Sequence, residues 1–343
     1  KAGSTEAMAR SYRRWRQDRS CLVSLALICS CARRIQDVWC FQSSASRRGA
    51  ALAPALGLTL PHPVAAAGAA AAQQIGLGTS GIKEASLLVL ALSLGFRLLD
   101  TAAFYGNEAQ LGEALRVAAT EGAVPNLAEV KVTTKVWWTE MSFDKATRSV
   151  LQSLQRLEAK VADLVLVHWP GRWLSGDVAG NRGARRDTWR ALENLKRDGR
   201  VREIGVSNYT VRHLQEMEQY TSEMPAVNQV ELHPYFQQQE LVKYCQDRGV
   251  RIQAYSPLAS GRLELLKDSL LLEVAKKTSR SPAQVVLKWM LQRGITPIVK
   301  STSRKRLEEN LQAQRLPDLS PDDLTALDSL NRRESCDLSG GLV

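Results

Sequence analysis

Eight short apolar runs, separated by stretches of helical spacing, constrain this fold more than any other feature. The runs span residues 75–78, 96–99, 130–136, 164–167, 203–206, 226–230, 250–254 and 295–299. Runs this short, rich in β-branched residues, read as strands. Over 142–158, Ala146, Val150, Leu151, Leu154 and Leu157 are expected on one helical face, with Ser142 as the cap. Over 281–293, Ser281 caps, Pro282 takes the first helical position and Gly294 ends the helix. Val285, Val286, Trp289 and Met290 form its expected buried stripe. Strands as apolar as 164–167 suit a parallel sheet covered by helices. Eight strand–helix units between residues 73 and 335 fit one α/β domain, a (β/α)8 TIM barrel.

Alternation alone also allows an open doubly wound sheet. Gly76, Gly78 and Gly81 match the dinucleotide fingerprint G-x-G-x-x-G, with Asp100 following at the end of the next run. The preceding segment, 70–74, is a poor strand, so that match is weak on its own.

The residues that close the runs carry more information. They are Asp100, Lys135, His168, Ser207 with Asn208, Gln229 with Glu231, Tyr255 with Ser256, and Lys300 with Ser301. Each has a structural explanation alone, as a cap, a solvated strand end or a satisfied core histidine. A closed barrel would gather all of them at its C-terminal mouth, where such folds keep their active sites.

The net charge of +11 does not mark a nucleic-acid binder. Residues 1–50 hold ten Lys/Arg and three acids, which leaves +4 on the rest. The basic character thus belongs to a tail. The 12-residue run 21–32 falls short of the ~20 residues a membrane span needs. Four of the six cysteines, Cys21, Cys29, Cys31 and Cys40, also lie in the tail. Cys245 and Cys336 remain, far apart, which suits a reducing compartment, and the Cys29-x-Cys31 pair has no histidine nearby and the wrong spacing for a zinc site. The chain opens on Lys1, read as a fragment edge or processed end. Residues 1–72 read as an extension and linker, with a transit peptide, a signal segment, an extension without an address and a gene-model artefact all open. Residues 336–343 read as a C-terminal tail.

The polar ends sit in longer motifs: DTAAFYGNE over 100–108, TTKVW over 133–137, VHWP over 167–170, GVSN over 205–208, NQVELHP over 228–234, AYSPL over 254–258, and Lys300-Ser301 followed by RLEEN over 306–310. In order and spacing they resemble the aldo-keto reductases, especially members of the glyoxal/aldehyde reductase type. The resemblance runs from Gly76 to about Asn331. It implies hydride transfer from NADPH to the carbonyl carbon of a small aldehyde or ketone, such as a 2-oxoaldehyde.

In that scheme Tyr105 would be the general acid. A free phenol titrates near 10, and a neighbouring ammonium, Lys135, would lower that value. Asp100 would hold Lys135, and His168 would orient the carbonyl oxygen or share in proton delivery. Tyr255 would stack on the nicotinamide, with Ser207, Asn208 and Gln229 bonding its carboxamide. Ser256, Leu258 and Ser260 would contact the pyrophosphate. Lys300, Ser301, Ser303 and Arg306 would hold the 2′-phosphate, with Ser303 as helix N-cap, and Glu309 and Asn310 would reach the adenine. Phe104, Trp137 and Trp169 would wall the substrate pocket. Arg172, Arg182, Arg185 and Arg186 suggest a preference for anionic carbonyl compounds.

The family implies a monomer, and the tail leaves a cytoplasmic and an organelle address open. Ser80 stands where many members carry an aromatic residue, the segment 81–84 is short, and the usual two-strand plug is hard to find in 61–74. A non-enzymatic regulatory or structural module of the same fold is the competing reading.

Overall fold

The structure is a computed structural model and describes residues 74–171 and 178–336. The expectations for 1–72, for the plug, for Arg172 and for most of the C-terminal tail lie outside those residues.

Eight parallel strands close a ring in sequence order. They are β1 (Gly76–Gly78), β2 (Leu98–Asp100), β3 (Lys131–Val136), β4 (Ala162–Val167), β5 (Val201–Ser207), β6 (Val227–Glu231), β7 (Arg251–Tyr255) and β8 (Ile295–Val299). All eight fall on the apolar runs of the sequence. The short β1 closes the ring, with Leu77 in register with Leu99 of β2 and with Val299 of β8. A closed ring excludes the open doubly wound sheet.

Two of the fingerprint glycines, Gly76 and Gly78, serve this closure. A Cβ on Gly76 would lie 2.6 Å from Ile298 Cδ1 and 2.9 Å from Leu98 Cδ2. A Cβ on Gly78 would lie 3.3 Å from Ile298 Cγ2, so both are small because the lumen is crowded there, whereas Gly81 has open space around it and sits at φ +78° in the turn after β1.

Ten α-helices among the described residues surround the ring. They are α1 (Ala85–Leu94), α2 (Glu108–Thr120), α3 (Phe143–Arg156), α4 (Val178–Arg197), α5 (Val211–Met217), α6 (Gln239–Gln246), α7 (Ser269–Thr278), α8 (Pro282–Gln292), α9 (Arg304–Gln312) and α10 (Pro321–Asp328). In α3, Ser142 Oγ accepts from Lys145 N at 3.4 Å, and Ala146, Val150 and Leu154 are buried. Leu151 is 42% exposed, contrary to its expected place in the stripe. It follows Val150 directly, and about 100° of helical rotation carries it off the buried face. In α8, Ser281 and Gln284 form a reciprocal capping box, worth about 1 kcal/mol. Its burial is wider than a stripe, because residues Val285 to Leu291 are all enclosed.

Two large apolar clusters lie between the ring and the helices, one centred on β4–β7 and one on β1 and β2. A third, Leu164, Leu166 and Val227, is small and separate. Val227 alternates with Gln229 and Glu231 on one face of β6, so this face turns from apolar to polar toward the strand's C-terminal end.

Beyond α10 the chain is fastened back onto the ring. Arg332 and Glu334 donate backbone N–H to Tyr235 O at 3.1 and 3.0 Å. Glu231 receives Ser335 Oγ and Cys336 N, each at 2.6 Å, and lies 2.9 Å from His233 Nε2. Burial pushes the Glu231 carboxyl up, but these partners outweigh it and bring it down to about 2. The buried carboxylate is a clasp on the C-terminal segment.

Candidate active site

Asp100 ends β2 in register with Thr133 of β3. Lys135 lies two residues further along β3, on the same face. Its side chain is enclosed, and its Nζ reaches Asp100 Oδ2 at 2.6 Å, Thr101 O at 3.0 Å and Tyr105 Oη at 3.3 Å. An ammonium has three N–H donors, and three acceptors surround this one.

Tyr105 comes from a short 3-10 turn, Ala103–Tyr105, closed by Gly106 at φ +61°. Lys83 Nζ donates to Tyr105 O at 2.9 Å and Gly106 O at 3.3 Å, which fastens that turn. The phenol is partly exposed, and its oxygen accepts from Lys135, so its own hydrogen is available to another partner.

The direction of the Tyr105 pKa differs from the expectation. Burial raises it and outweighs the lowering by Lys135, with Asp100 raising it further. The phenol is therefore protonated at neutral pH. Lys135 is pulled down by burial, but Asp100 and Tyr105 prevail and hold it above its ordinary value. Charge pairing keeps it an ammonium.

His168 follows β4 and donates its backbone N–H to Val136 O at 3.0 Å. Burial first, and then Lys135, hold its imidazole well below the usual range, so the ring is neutral. Its Nδ1 is buried with no partner among the described residues. The Tyr105 and His168 rings stand edge to face, with centroids 5.7 Å apart.

Phe104 stacks on Trp137 at 3.9 Å, and Trp137 meets His168 at 5.0 Å. These rings make an apolar rim beside the phenol. Trp169 directly follows His168 and is half-buried. Trp138 packs against the outer core instead.

On the other side of the mouth, Asn208 sits at φ +62° after β5. It donates from Nδ2 to His168 O at 3.1 Å and accepts from Tyr255 Oη at 2.9 Å. Ser207 donates to Gln229 O at 2.8 Å. Gln229 is oriented inward: its Nε2 donates to Asp100 Oδ1 at 2.7 Å and Gln253 Oε1 at 2.9 Å. Its amino group is thus committed within the barrel, and only its oxygen remains for a carboxamide. Ser256 and Ser260, both at positive φ, bond one another at 2.9 Å, and Leu258 between them packs against the core.

Ser301 and Ser303 lead into α9. Ser303 occupies the N-cap position, but its side chain makes no cap bond; its N–H goes to Ser301 Oγ at 3.0 Å. The first turn holds Arg304, Lys305 and Arg306 and no acid. Three cations at a positive helix end oppose the macrodipole, an arrangement that an anion offsets. Arg304 pairs with Glu308 at 2.8 Å. Arg306 and Lys300 are exposed and make no ion pair or hydrogen bond among the described residues. Glu309 and Asn310 lie further along α9, half-buried and buried respectively.

Of the arginines expected to favour anions, the three among the described residues, Arg182, Arg185 and Arg186, have partners within the chain. Arg185 is buried, forks onto Glu216 at 2.9 and 2.6 Å, and donates to Pro170 O at 2.7 Å. Arg182 donates to Gln219 at 2.6 Å, and Arg186 meets Asp187 at 3.2 Å.

The profile of the Aldo/keto reductase family matches residues 68–332. The chain belongs to this family. Among its relatives is a glyoxal reductase of Bacillus subtilis (strain 168), 39% identical over 244 residues, covering 71% of this chain and 82% of that one. A 9,11-endoperoxide prostaglandin H2 reductase of Trypanosoma cruzi (strain CL Brener) is 40% identical over 263 residues, covering 75% and 87%. The crystal structure of an aldo/keto reductase from Brucella melitensis superposes with a TM-score of 0.67 at 33% identity, covering 75% of this chain and 94% of that one. Aldo-keto reductases are oxidoreductases that act on carbonyl compounds and generally use nicotinamide cofactors.

Two contacts were not foreseen. Lys83 lies in the short segment after β1 and was unmarked by any motif. Gln253 left one signal: an uncharged polar residue at the centre of a short strand, between apolar Ile252 and Ala254.

Proposed function

We propose that this chain reduces aldehydes or ketones to alcohols with NADPH, with Tyr105 as the general acid. The observation that carries the reading is the bonded cluster of Asp100, Lys135 and Tyr105 beside the neutral His168. NADPH, when bound, supplies the hydride to the carbonyl carbon. The residues fit such a cofactor: Tyr255 flanks the mouth, Asn208 and the Gln229 oxygen suit a carboxamide, and unpaired cations mark the α9 N-terminus. Ser207, Ser256, Leu258 and Ser260 line the path between those ends on this reading.

The carbonyl oxygen gains negative charge as the hydride arrives. Tyr105 then donates its hydrogen, and Lys135 stabilises the phenolate left behind. Asp100 keeps the ammonium from leaving. Neutral His168 donates a hydrogen bond to the same oxygen and fixes its direction. Positioned proton transfer of this kind contributes roughly 10²–10⁴ in rate. Phe104, Trp137 and Trp169 would exclude water and favour small apolar or 2-oxoaldehyde substrates, methylglyoxal among them.

NADPH rather than NADH is supported by the exposed guanidinium of Arg306, whose fork suits a 2′-phosphate, with Lys300, Ser301 and Ser303 near it in sequence. Glu309 and Asn310 would face the adenine. On this reading residues 73–335 form the catalytic barrel of a cytoplasmic monomer, with an organelle address for residues 1–72 as the alternative. None of the described helices is long and apolar enough to cross a membrane.

The test is NADPH consumption with methylglyoxal, phenylglyoxal, 4-nitrobenzaldehyde, glyceraldehyde and a simple ketone, repeated with Arg306→Ala. Turnover is expected with at least the aldehydes. Arg306→Ala is expected to weaken NADPH roughly ten- to a hundredfold and leave NADH unchanged. Tight NADPH binding without turnover would favour the regulatory or structural module instead.

A further inference from the structure

The second oxygen of Asp100 is held from the far side of the barrel. In the ring, β2 and β6 stand four strands apart, yet Gln229 Nε2 reaches Asp100 Oδ1 at 2.7 Å. The same nitrogen donates to Gln253 Oε1 at 2.9 Å. Gln229 and Gln253 are register partners on β6 and β7, so their side chains share the inner face. Asp100, Lys135, Gln229 and Gln253 are all buried.

The amide orientation is fixed by chemistry. A carboxylate only accepts, so Gln229 must turn its amino group to Asp100; the flipped amide would set two oxygens against each other. The two N–H bonds of Gln229 are then divided between Asp100 and Gln253. Gln253 has to present its oxygen. The result is one buried path, Gln253–Gln229–Asp100–Lys135–Tyr105, with links of 2.9, 2.7, 2.6 and 3.3 Å.

We propose that Gln253 is a positioning residue for hydride transfer. It acts through Gln229 on the carboxylate that holds Lys135, and it turns the Gln229 oxygen toward the nicotinamide carboxamide. Its catalytic consequence rests on the reductase reading given above. Without Gln253, one buried N–H of Gln229 has no acceptor, and the amide rotates to find one. Asp100 and the carboxamide contact are then released together.

The test uses the full chain with Gln253→Met, which removes the acceptor, and Gln253→Glu, which retains an acceptor oxygen at the same side-chain length. Gln253→Met is expected to lower kcat roughly tenfold, as loss of one buried hydrogen bond would, while the carbonyl KM stays within about threefold. Gln253→Glu is expected to recover most of that loss. Adding Gln229→Met to Gln253→Met should cost no more than Gln229→Met alone, because the two act as one unit.

A second readout needs no turnover. In the cofactor-free protein, the side-chain amide resonances of Gln229, assigned by their loss in Gln229→Met, should move in Gln253→Met and stay near their original positions in Gln253→Glu. An unchanged kcat in Gln253→Met, additive losses in the double variant, equal losses in both Gln253 variants, or unmoved resonances would each overturn the proposal. Absence of NADPH-dependent turnover in the unmodified protein would instead sink the reductase reading, and the resonances would still decide the path.

Discussion

At the scale of the residue, the site is a problem in keeping protons where the chemistry needs them. Enclosed Lys135 stays charged because Asp100 lies 2.6 Å away. Removing one partner of such a pair typically costs about 3–5 kcal/mol, since the other is left buried and unpaired. The neutral phenol of Tyr105 follows from burial, which wins over the attraction of Lys135. A protonated acid is what carbonyl reduction requires. The reduction rate is therefore expected to stay level through neutral pH and to fall only as alkaline pH strips the raised phenol. A pH–rate profile checks this, and a limb centred near neutrality would contradict it. Identity and order of the polar strand ends were legible because motifs carry them. The net direction of the tyrosine shift was not, because it depends on how much water the fold removes.

At the scale of the element, short strands work because each is paired on both sides and packed on both faces. The eight runs could be located from sequence to within about two residues, since burial forces apolar composition. Whether they closed into a ring was less legible. Closure depends on three-residue β1, whose glycines imitate a nucleotide fingerprint. The same crowding recurs at Gly205 of β5, where a Cβ would meet Val227 O at 2.6 Å and Leu166 Cδ2 at 2.7 Å. Gly205→Ala is expected to lower stability by about 1–3 kcal/mol, as overpacking a filled interior does. Chemical denaturation checks it; an unchanged midpoint would mean the lumen yields more readily than this packing implies. The arginines of α4 show the converse limit. Their number suggested an anion site, but charge in sequence does not reveal that Arg185 already has Glu216.

At the scale of the whole molecule, the chain closes twice, once as a ring of strands and once where the C-terminal segment returns to Glu231. That return was invisible in the sequence, because its partners lie about a hundred residues apart. Glu231 has its carboxyl lowered from an ordinary 4.5 to about 2. Its contribution is therefore present above about pH 4.5 and is lost as pH falls toward 2. A shift of that size corresponds to about 3 kcal/mol at order of magnitude. Glu231→Gln is expected to unfold more readily at neutral pH, with the difference from the parent shrinking as pH drops through that window. Equal differences at all pH values would show that the clasp does not depend on charge.

In the proposed reaction Tyr105 delivers the proton while the rest of the barrel holds cofactor and carbonyl in place. The most direct test is Tyr105→Phe, assayed for NADPH affinity and for carbonyl reduction in the same preparation. NADPH binding is expected to be unchanged and reduction to fall by roughly 10²–10⁴. Reduction at the parent rate with NADPH still bound would contradict it.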